Sequence, residues 1–243
     1  MSFEEQIRAQ PARLRVLVEA MEGADHPLRS STARSLLAKP RLLLTGMGSS
    51  LFACYPAYLR LAGAGRNVAL WETAELLHFA RGAIDPETLI VAVSQSGETT
   101  EITALLEKLP PEQPVLAVTN VAKSALGRRA TLALELGADR SQYPATQTHI
   151  NSVALLLAVA HAATDQPLAG FLAAARGAAE ALETTLADSF ARSEINLDPQ
   201  AHLIFLARGP SLASARQATL MVEEVAGGGA AALSAAEFRH GPI

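Results

Sequence analysis

The chain has 243 residues and carries 20 Lys and Arg against 24 Asp and Glu, a formal net charge of −4. This balance lacks the basic excess of duplex-binding proteins, and an aromatic content of 5% is too low for rows of base-stacking side chains. We therefore expect no nucleic-acid partner. The single cysteine, Cys54, excludes an internal disulfide bond and a zinc site built on cysteines.

The same sequence argues against export and against a membrane partner. The longest apolar stretch, Val153 to Ala163, is interrupted by His161 and is well short of the ~20 residues that span a bilayer. The N-terminal residues lack the apolar centre of a signal peptide. One unpaired cysteine is typical of a reducing compartment. The sequence thus predicts a soluble protein of the cytoplasm.

The predicted elements begin with a helical lead-in over residues 3–22, where apolar side chains recur at helical spacing and Pro11 marks a break. β-rich runs then alternate with helical stretches, which is the pattern of βαβ units around a parallel sheet. The predicted strands are Arg41–Thr45, Asn67–Trp71, Thr88–Ser94, Pro114–Thr119 and Thr131–Leu136, and the predicted helices that follow them are 50–63, 74–81, 99–109 and 123–129. Because the strands are apolar along their length, both faces of the sheet should be covered. The sequence therefore predicts an α/β fold with a doubly wound, flavodoxin-like parallel sheet of five strands.

Part of this pattern is repeated later in the chain, after predicted helices at 151–163 and 168–193. Residues 42–51 align with residues 203–212, and residues 74–78 align with residues 236–240 at nearly the same offset. Two separate matches at one offset indicate two copies of one α/β unit.

The second copy is incomplete in this sequence. It has a predicted strand at 202–208, a helix at 211–226 and a strand at about 230–235, and the sequence stops at Ile243. We predict a first domain at 1–193, made of N-terminal helices, the first copy and connecting helices, and a truncated second domain at 194–243 that begins with a linker. Two strands alone would leave apolar sheet edges open, so we expect either that the chain is a fragment or that a partner covers the edge.

A glycine- and serine-rich loop, Gly46-Met47-Gly48-Ser49-Ser50, follows the first predicted strand. The glycines allow a tight turn, and the serines supply hydroxyl groups where the next helix begins, a position that favours an anion. The loop is no dinucleotide fingerprint, because Leu51 stands where the third glycine belongs, and it lacks the lysine of a Walker A loop. An ordinary strand-to-helix turn remains an alternative for this loop.

A second polar loop, Ser94-Gln95-Ser96-Gly97-Glu98-Thr99-Thr100, follows the most apolar strand. It lies at the carboxyl end of a parallel strand, where open α/β sheets bind ligands. Hydroxyl and amide groups without Lys or Arg suit a phosphate that is held by hydrogen bonds and a helix dipole. The alternative is a capping loop in which the side chain of Thr99 or Ser96 caps the helix.

These two loops resemble the phosphate loops of the sugar isomerase (SIS) domain family. The likeness extends to Gln10-Pro11, to Tyr143-Pro144-Ala145-Thr146-Gln147, to Glu223-Glu224-Val225 and to Ala236-Glu237-Phe238-Arg239-His240-Gly241-Pro242. The chain is similar to the isomerase domains of glucosamine-6-phosphate synthases, and more so to stand-alone glucosamine-6-phosphate deaminases with two SIS domains. The Ser-Gln-Ser-Gly-Glu-Thr and His-Gly-Pro motifs are specific to the family.

The resemblance implies an aldose–ketose isomerase or deaminase that acts on an amino-sugar 6-phosphate and needs no metal or redox cofactor. The residues implied in substrate binding are Ser49, Ser50, Ser94, Gln95, Ser96, Thr99 and Thr146. Glu224 would move a proton between C1 and C2, and His240, donated by the neighbouring subunit of a homodimer with shared active sites, would open the ring. A carboxylate with a raised pKa and a histidine suit these two proton transfers near neutral pH.

Two departures from the family pattern keep other functions open. Met221 and Gln147 stand where the synthase-like pattern has lysines. A non-catalytic sugar-phosphate-binding SIS regulator is one alternative, and an isomerase-type domain related to glutamine–fructose-6-phosphate aminotransferase is another. A nucleotide-binding α/β protein is a third. His26, His149, His161 and His202 show no metal-ligand spacing and receive no role.

Overall fold

The computed structural model of the protein describes residues 2–139, 144–191 and 201–241. The helices are α1 (Phe3–Arg8), α2 (Gln10–Glu22), α3 (Ser31–Leu37), α4 (Ser49–Gly63), α5 (Thr73–Phe79), α6 (Thr100–Lys108), α7 (Ala125–Arg129), α8 (Gln147–Ala162), α9 (Leu168–Ala191), α10 (Ser211–Met221) and α11 (Ala235–Arg239). The strands are β1 (Arg41–Gly46), β2 (Asn67–Glu72), β3 (Thr88–Val93), β4 (Val115–Thr119), β5 (Leu132–Glu135), β6 (Leu203–Ala207) and β7 (Ala230–Ser234). Tyr143, Pro242, Ile243 and the predicted linker lie outside the described residues.

The first five strands form one parallel sheet in the order β2-β1-β3-β4-β5. β1 lies in its interior, where Leu43 is paired with Ala69 of β2 on one side and with Ile90 of β3 on the other. This is the strand order of doubly wound flavodoxin-like sheets, so the predicted fold class is confirmed. Each predicted strand begins and ends within two residues of the observed one.

Helices cover both faces of this sheet, as the apolar strands predicted. Leu44 and its same-face neighbours pack against residues of α2, α4, α8 and α9. Leu43, which points to the opposite face, packs against Leu76 of α5 and Leu105 of α6. Burying one such leucine side chain stabilises the fold by about 2 kcal/mol.

Local signals account for the helix boundaries at the N-terminus. α1 ends at Arg8 and α2 begins at Gln10, with Pro11 in its first turn, where a proline is tolerated because no amide hydrogen is needed. The sequence pattern did not predict α3. Its seven residues bury only Ala33, Leu36 and Leu37, and the helix begins where the Ser30 hydroxyl accepts a hydrogen bond from the amide of Ala33.

Cys54 lies on the buried side of α4, as its place in the sequence suggested. Its side chain is fully buried, and the thiol donates a hydrogen bond to the carbonyl oxygen of Ser50 over 3.3 Å. Burial raises the pKa of this thiol far above its usual range. Cys54 is therefore a packing residue in the folded state.

The remaining two strands form a separate parallel pair, in which Phe205 of β6 is opposite Ala232 of β7. β6, α10, β7 and α11 follow one another in the same order as β1, α4, β2 and α5. Two apolar residues of β6 are exposed, Ile204 at 43% and Leu206 at 47%. The boundary between the two predicted domains stays a prediction, because residues 192–200 are not described. Within the described ranges, every helix is too short or too polar to cross a membrane.

Candidate functional site

The loop between β1 and α4 depends on its two glycines. A Cβ atom on Gly46 would lie 3.0 Å from the amide nitrogen of Leu51, so only glycine lets the strand end this close to the helix. Gly48 has φ +48°, a left-handed conformation that side chains disfavour. The turn places Ser49 and Ser50 in the first turn of α4, at the carboxyl end of β1.

Ser49 connects this loop to α10 of the second copy. Its hydroxyl donates a hydrogen bond to the side-chain oxygen of Gln217 over 2.6 Å. The Gln217 side-chain nitrogen in turn donates to the carbonyl oxygen of Ala145 over 3.1 Å. The Ser49 hydroxyl hydrogen is thus used within the protein.

The loop between β3 and α6 is held by its own hydroxyl groups. Ser94 is 2% exposed, its hydroxyl oxygen lies 2.7 Å from that of Thr99, and it accepts a hydrogen bond from the amide of Gly97. The Ser96 side chain is exposed and accepts from the amide of Glu98. Thr99 is the N-cap residue of α6, as the capping alternative proposed, but its side chain makes no capping hydrogen bond.

Gln95 joins this loop to the neighbouring strand β4. Its carbonyl oxygen accepts hydrogen bonds from the amide of Asn120 over 2.9 Å and from the hydroxyl of Thr119 over 3.2 Å. These bonds fix the backbone carbonyl of Gln95, from whose residue the side chain extends. The side chain itself is partly buried and faces a small cavity.

The two loops meet the start of α8 around this cavity. Its lining residues are Ser49, Ser50, Gln95, Ala145, Thr148, His149 and Ser152. The volume is about 30 Å³, which is room for about two water molecules. Thr148 is 2% exposed, and its hydroxyl oxygen has no hydrogen-bond partner among the described residues. Side chains at the rim must move before a ligand larger than water can enter.

His149 belongs to this cavity although the sequence pattern gave it no role. Its Nδ1 lies 3.2 Å from the Ser49 carbonyl oxygen and 3.2 Å from the Ser49 hydroxyl oxygen. A carbonyl oxygen only accepts hydrogen bonds, so Nδ1 carries the hydrogen. Burial lowers the pKa of His149 to about 4, which keeps the ring neutral at pH 7. Helical periodicity would have revealed it, because positions 148, 149 and 152 share one face of α8.

Thr146 is buried directly before α8, and its hydroxyl donates to the side-chain oxygen of Gln6 over 3.4 Å. It lines a second cavity of about 380 Å³ between α1, α8 and α10. The polar side chains of this cavity belong to Gln10, Thr146, His149, Ser214 and Gln217. Its walls are otherwise apolar, and it shares Ala145 and His149 with the small cavity.

Glu224 and His240 lie outside these two cavities. Glu224 is partly buried in a π-helical turn, Val222–Ala226, that continues α10, and such turns are frequent at functional sites. His240 is exposed directly after α11. Neither side chain has a hydrogen-bond partner in the part of the chain that the structure describes. The structure thus brings Ser49, Ser50 and Gln95 together at the small cavity, whereas Thr146 lines the second cavity and Ser96 is exposed. The roles of all these residues, and of Glu224 and His240, stay predictions.

A parallel sheet with polar loops after two adjacent strands is typical of doubly wound α/β proteins, a class that binds ligands at the carboxyl ends of its strands. The family model described as SIS domain matches residues 35–164, which is more than half of the chain. The chain belongs to the SIS domain family, and the resemblance read from its motifs is confirmed.

The chain is similar to aminotransferases that act on fructose 6-phosphate and to a sugar-phosphate deaminase of known structure. It is 34% identical over 248 residues to the glutamine–fructose-6-phosphate aminotransferase of Aeropyrum pernix, an alignment that covers 94% of this chain and 39% of the relative. The C-terminal domain of glucosamine–fructose-6-phosphate aminotransferase from Francisella tularensis superposes with a TM-score of 0.77 at 21% identity, covering 98% and 70% of the two chains. The glucosamine-6-phosphate deaminase of Thermotoga maritima does so with a TM-score of 0.75 at 17% identity, covering 98% and 71%. The chain spans about two fifths of the length of the curated relatives it matches.

Proposed function

We propose that this chain binds a hexose or hexosamine 6-phosphate and supports its aldose–ketose isomerisation, with deamination of an amino-sugar 6-phosphate as the specific reaction. The observation that carries the proposal is the small polar cavity where both loops and α8 meet. The buried Thr148 hydroxyl finds no partner within residues 2–139, 144–191 and 201–241, which is costly unless a ligand or water satisfies it. Homology to the SIS domains of the aminotransferases supports a sugar-phosphate ligand.

The phosphate is proposed to bind where α4, α6 and α8 begin. Helix N-termini carry partial positive charge and free amide groups, so three of them favour a dianion without Lys or Arg. Ser50, Gln95 and Thr148 line the cavity, and the paired hydroxyls of Ser94 and Thr99 lie in the same loop as Gln95. Opening of the 30 Å³ cavity by movement of Gln95 or His149 is part of this proposal.

The proposed chemistry is a proton transfer between two adjacent carbons. Glu224 takes a proton from C2 of the open-chain aldose and returns it to C1, which gives the ketose. For an amino sugar the product is a ketose imine, and water hydrolyses its C=N bond to release ammonia. His240 opens the ring from a neighbouring subunit of a cytoplasmic homodimer, and its exposed position suits such donation.

Calorimetry with glucosamine 6-phosphate and an assay for ammonia and fructose 6-phosphate test the proposal. We expect binding, and we expect Ser50→Ala to weaken it about tenfold, because a hydrogen bond to a charged group is lost. Thr103→Ala, on α6 but outside the loop, is the control and should bind like the wild type. Absence of binding to any hexose or hexosamine 6-phosphate would contradict the proposal.

A sugar-phosphate-binding module without catalysis is the second candidate. It is favoured by the position of Glu224 outside both cavities and by Met221, which replaces the family lysine. An isomerase domain related to the aminotransferases accounts for the relatives equally well. Exchange of a C1 proton of fructose 6-phosphate, or of the C2 proton of glucosamine 6-phosphate, in deuterated water separates catalysis from binding alone, with Glu224→Gln as the control. Binding without exchange selects the module.

A further inference from the structure

The ring of His149 lies between the two cavities and uses only one of its nitrogens. Nδ1 contacts Ser49, which lines the small cavity but not the larger one. Nε2 has no hydrogen-bond partner among the described residues. The two nitrogens lie on different edges of the ring, so the edge with Nε2 is the one available to the larger cavity, which His149 also lines.

The larger cavity has the size and lining of a site for an uncharged polyol. Its volume of about 380 Å³ falls in the range of small-molecule sites. Its lining residues have no carboxylate, ammonium or guanidinium group, so the cavity offers no counter-charge. The side chains of Gln10 and Ser214 have no hydrogen-bond partner in the described part of the chain. Apolar walls suit the C–H edges of a sugar, and these polar groups suit its hydroxyls.

We infer that His149 determines sugar specificity at this site: its Nε2 accepts a hydrogen bond from a hydroxyl of a sugar phosphate whose carbon skeleton lies in the larger cavity. This inference rests on the proposed function and adds a residue and a subsite to it. The low pKa of His149 supports it, because a neutral ring keeps one acceptor nitrogen at pH 7.

The recognition has a direct chemical consequence. A site built to accept a hydrogen bond from a hydroxyl rejects an analogue that lacks the hydroxyl, because its acceptor is left buried without a partner. Inorganic phosphate has no carbon skeleton, so a change at Nε2 should alter its binding less than it alters the binding of a hexose 6-phosphate. The affinity for a hexose 6-phosphate should decrease when a substitution removes the acceptor at the position of Nε2.

Two substitutions separate the two nitrogens. In His149→Asn the side-chain amide reaches the position of Nδ1 and can still donate to the Ser49 carbonyl, but no atom occupies the position of Nε2. In His149→Gln the amide reaches the position of Nε2. We expect H149N to weaken fructose 6-phosphate binding by about 3- to 10-fold more than it changes inorganic phosphate binding, whereas H149Q keeps fructose 6-phosphate binding within about 2-fold of the wild type.

A cavity-filling variant tests the subsite without altering a buried residue. Ser214 is exposed at the rim, so Ser214→Phe should fold normally and close the larger cavity. Calorimetry should show fructose 6-phosphate binding weakened at least 10-fold and inorganic phosphate binding retained. Circular dichroism checks that each variant is folded.

The outcomes are distinguishable. Loss of sugar binding in H149Q but not in H149N would show that His149 only holds Ser49, and unchanged sugar binding in S214F would show that the cavity is not used. Either result overturns this inference and leaves the proposed function standing. Failure of the wild type to bind any hexose 6-phosphate overturns the proposed function, and this inference with it.

Discussion

Strands β1 and β6 are equivalent in the repeat but differ sharply in burial. Five of the six residues of β1 are buried, whereas β6 alternates between partly buried and exposed residues. Leu43 is fully buried, and Ile204, which aligns with it, is 43% exposed. Both positions are apolar, so the difference comes from the neighbours: β1 has β3 and α6 beside it, whereas β7 is the one strand that pairs with β6 in the described part of the chain. A strand pattern in a sequence thus encodes an extended segment, while the elements around it decide its burial.

The largest test of this comparison is a pair of matched truncations. Leu43→Ala should lower the free energy of unfolding by about 2–5 kcal/mol, because it leaves a cavity among Leu76, Leu77 and Leu105. Ile204→Ala should cost less than about 1 kcal/mol, since that side chain already contacts water. Urea unfolding measures both. Equal losses would mean that β6 is covered in solution.

A pH series tests His149, whose ring contacts Ser49 at the start of α4. The pKa of His149 is about 4 in the folded state and about 6.5 when unfolded, so the unfolded chain binds the extra proton as the pH falls. The stabilisation that depends on a neutral His149 should be fully present above pH 6.5 and should decrease between pH 6.5 and 4. The free energy of unfolding should fall by up to about 3 kcal/mol because of this group.

Urea unfolding at several pH values should show a smaller decrease for His149→Asn than for the wild type over this range. His78→Gln is the matched control, because His78 is exposed. If the wild type and H149N lose stability in parallel as the pH falls, the ring is accessible to protons in the folded state.

The smallest effect concerns a feature that the two copies share. Gly48 and Gly209 align in the repeat, and their φ angles are +48° and +54°. An added Cβ would meet no atom closer than 4.0 Å at either position, so only the backbone conformation should matter. Gly48→Ala and Gly209→Ala should each cost about 1–2 kcal/mol in thermal or urea unfolding. A much larger loss for one of them would show that the two turns are not equivalent.

The sheet could be predicted from the sequence because its strands are long apolar runs between clear breaks. The meeting of Ser50 and Gln95 could also be predicted, since adjacent parallel strands end at one edge of the sheet. The hydrogen bond from Ser49 to Gln217 could not be predicted, because it joins residues 168 positions apart that only the packing of α10 brings together. Thr148 and His149 are not revealed by loop motifs or metal-ligand spacing, because they lie on the polar face of a largely apolar helix, α8.

Chemical labelling of the buried Cys54 thiol can report conformational opening of this protein. The sequence contains one cysteine, and its thiol donates a hydrogen bond to the carbonyl oxygen of Ser50, which belongs to the first loop of the candidate site. A thiol-reactive dye can attach only while α4 is displaced from the sheet. The rate of labelling, with and without added sugar phosphate, therefore measures the opening of this helix without any engineered probe.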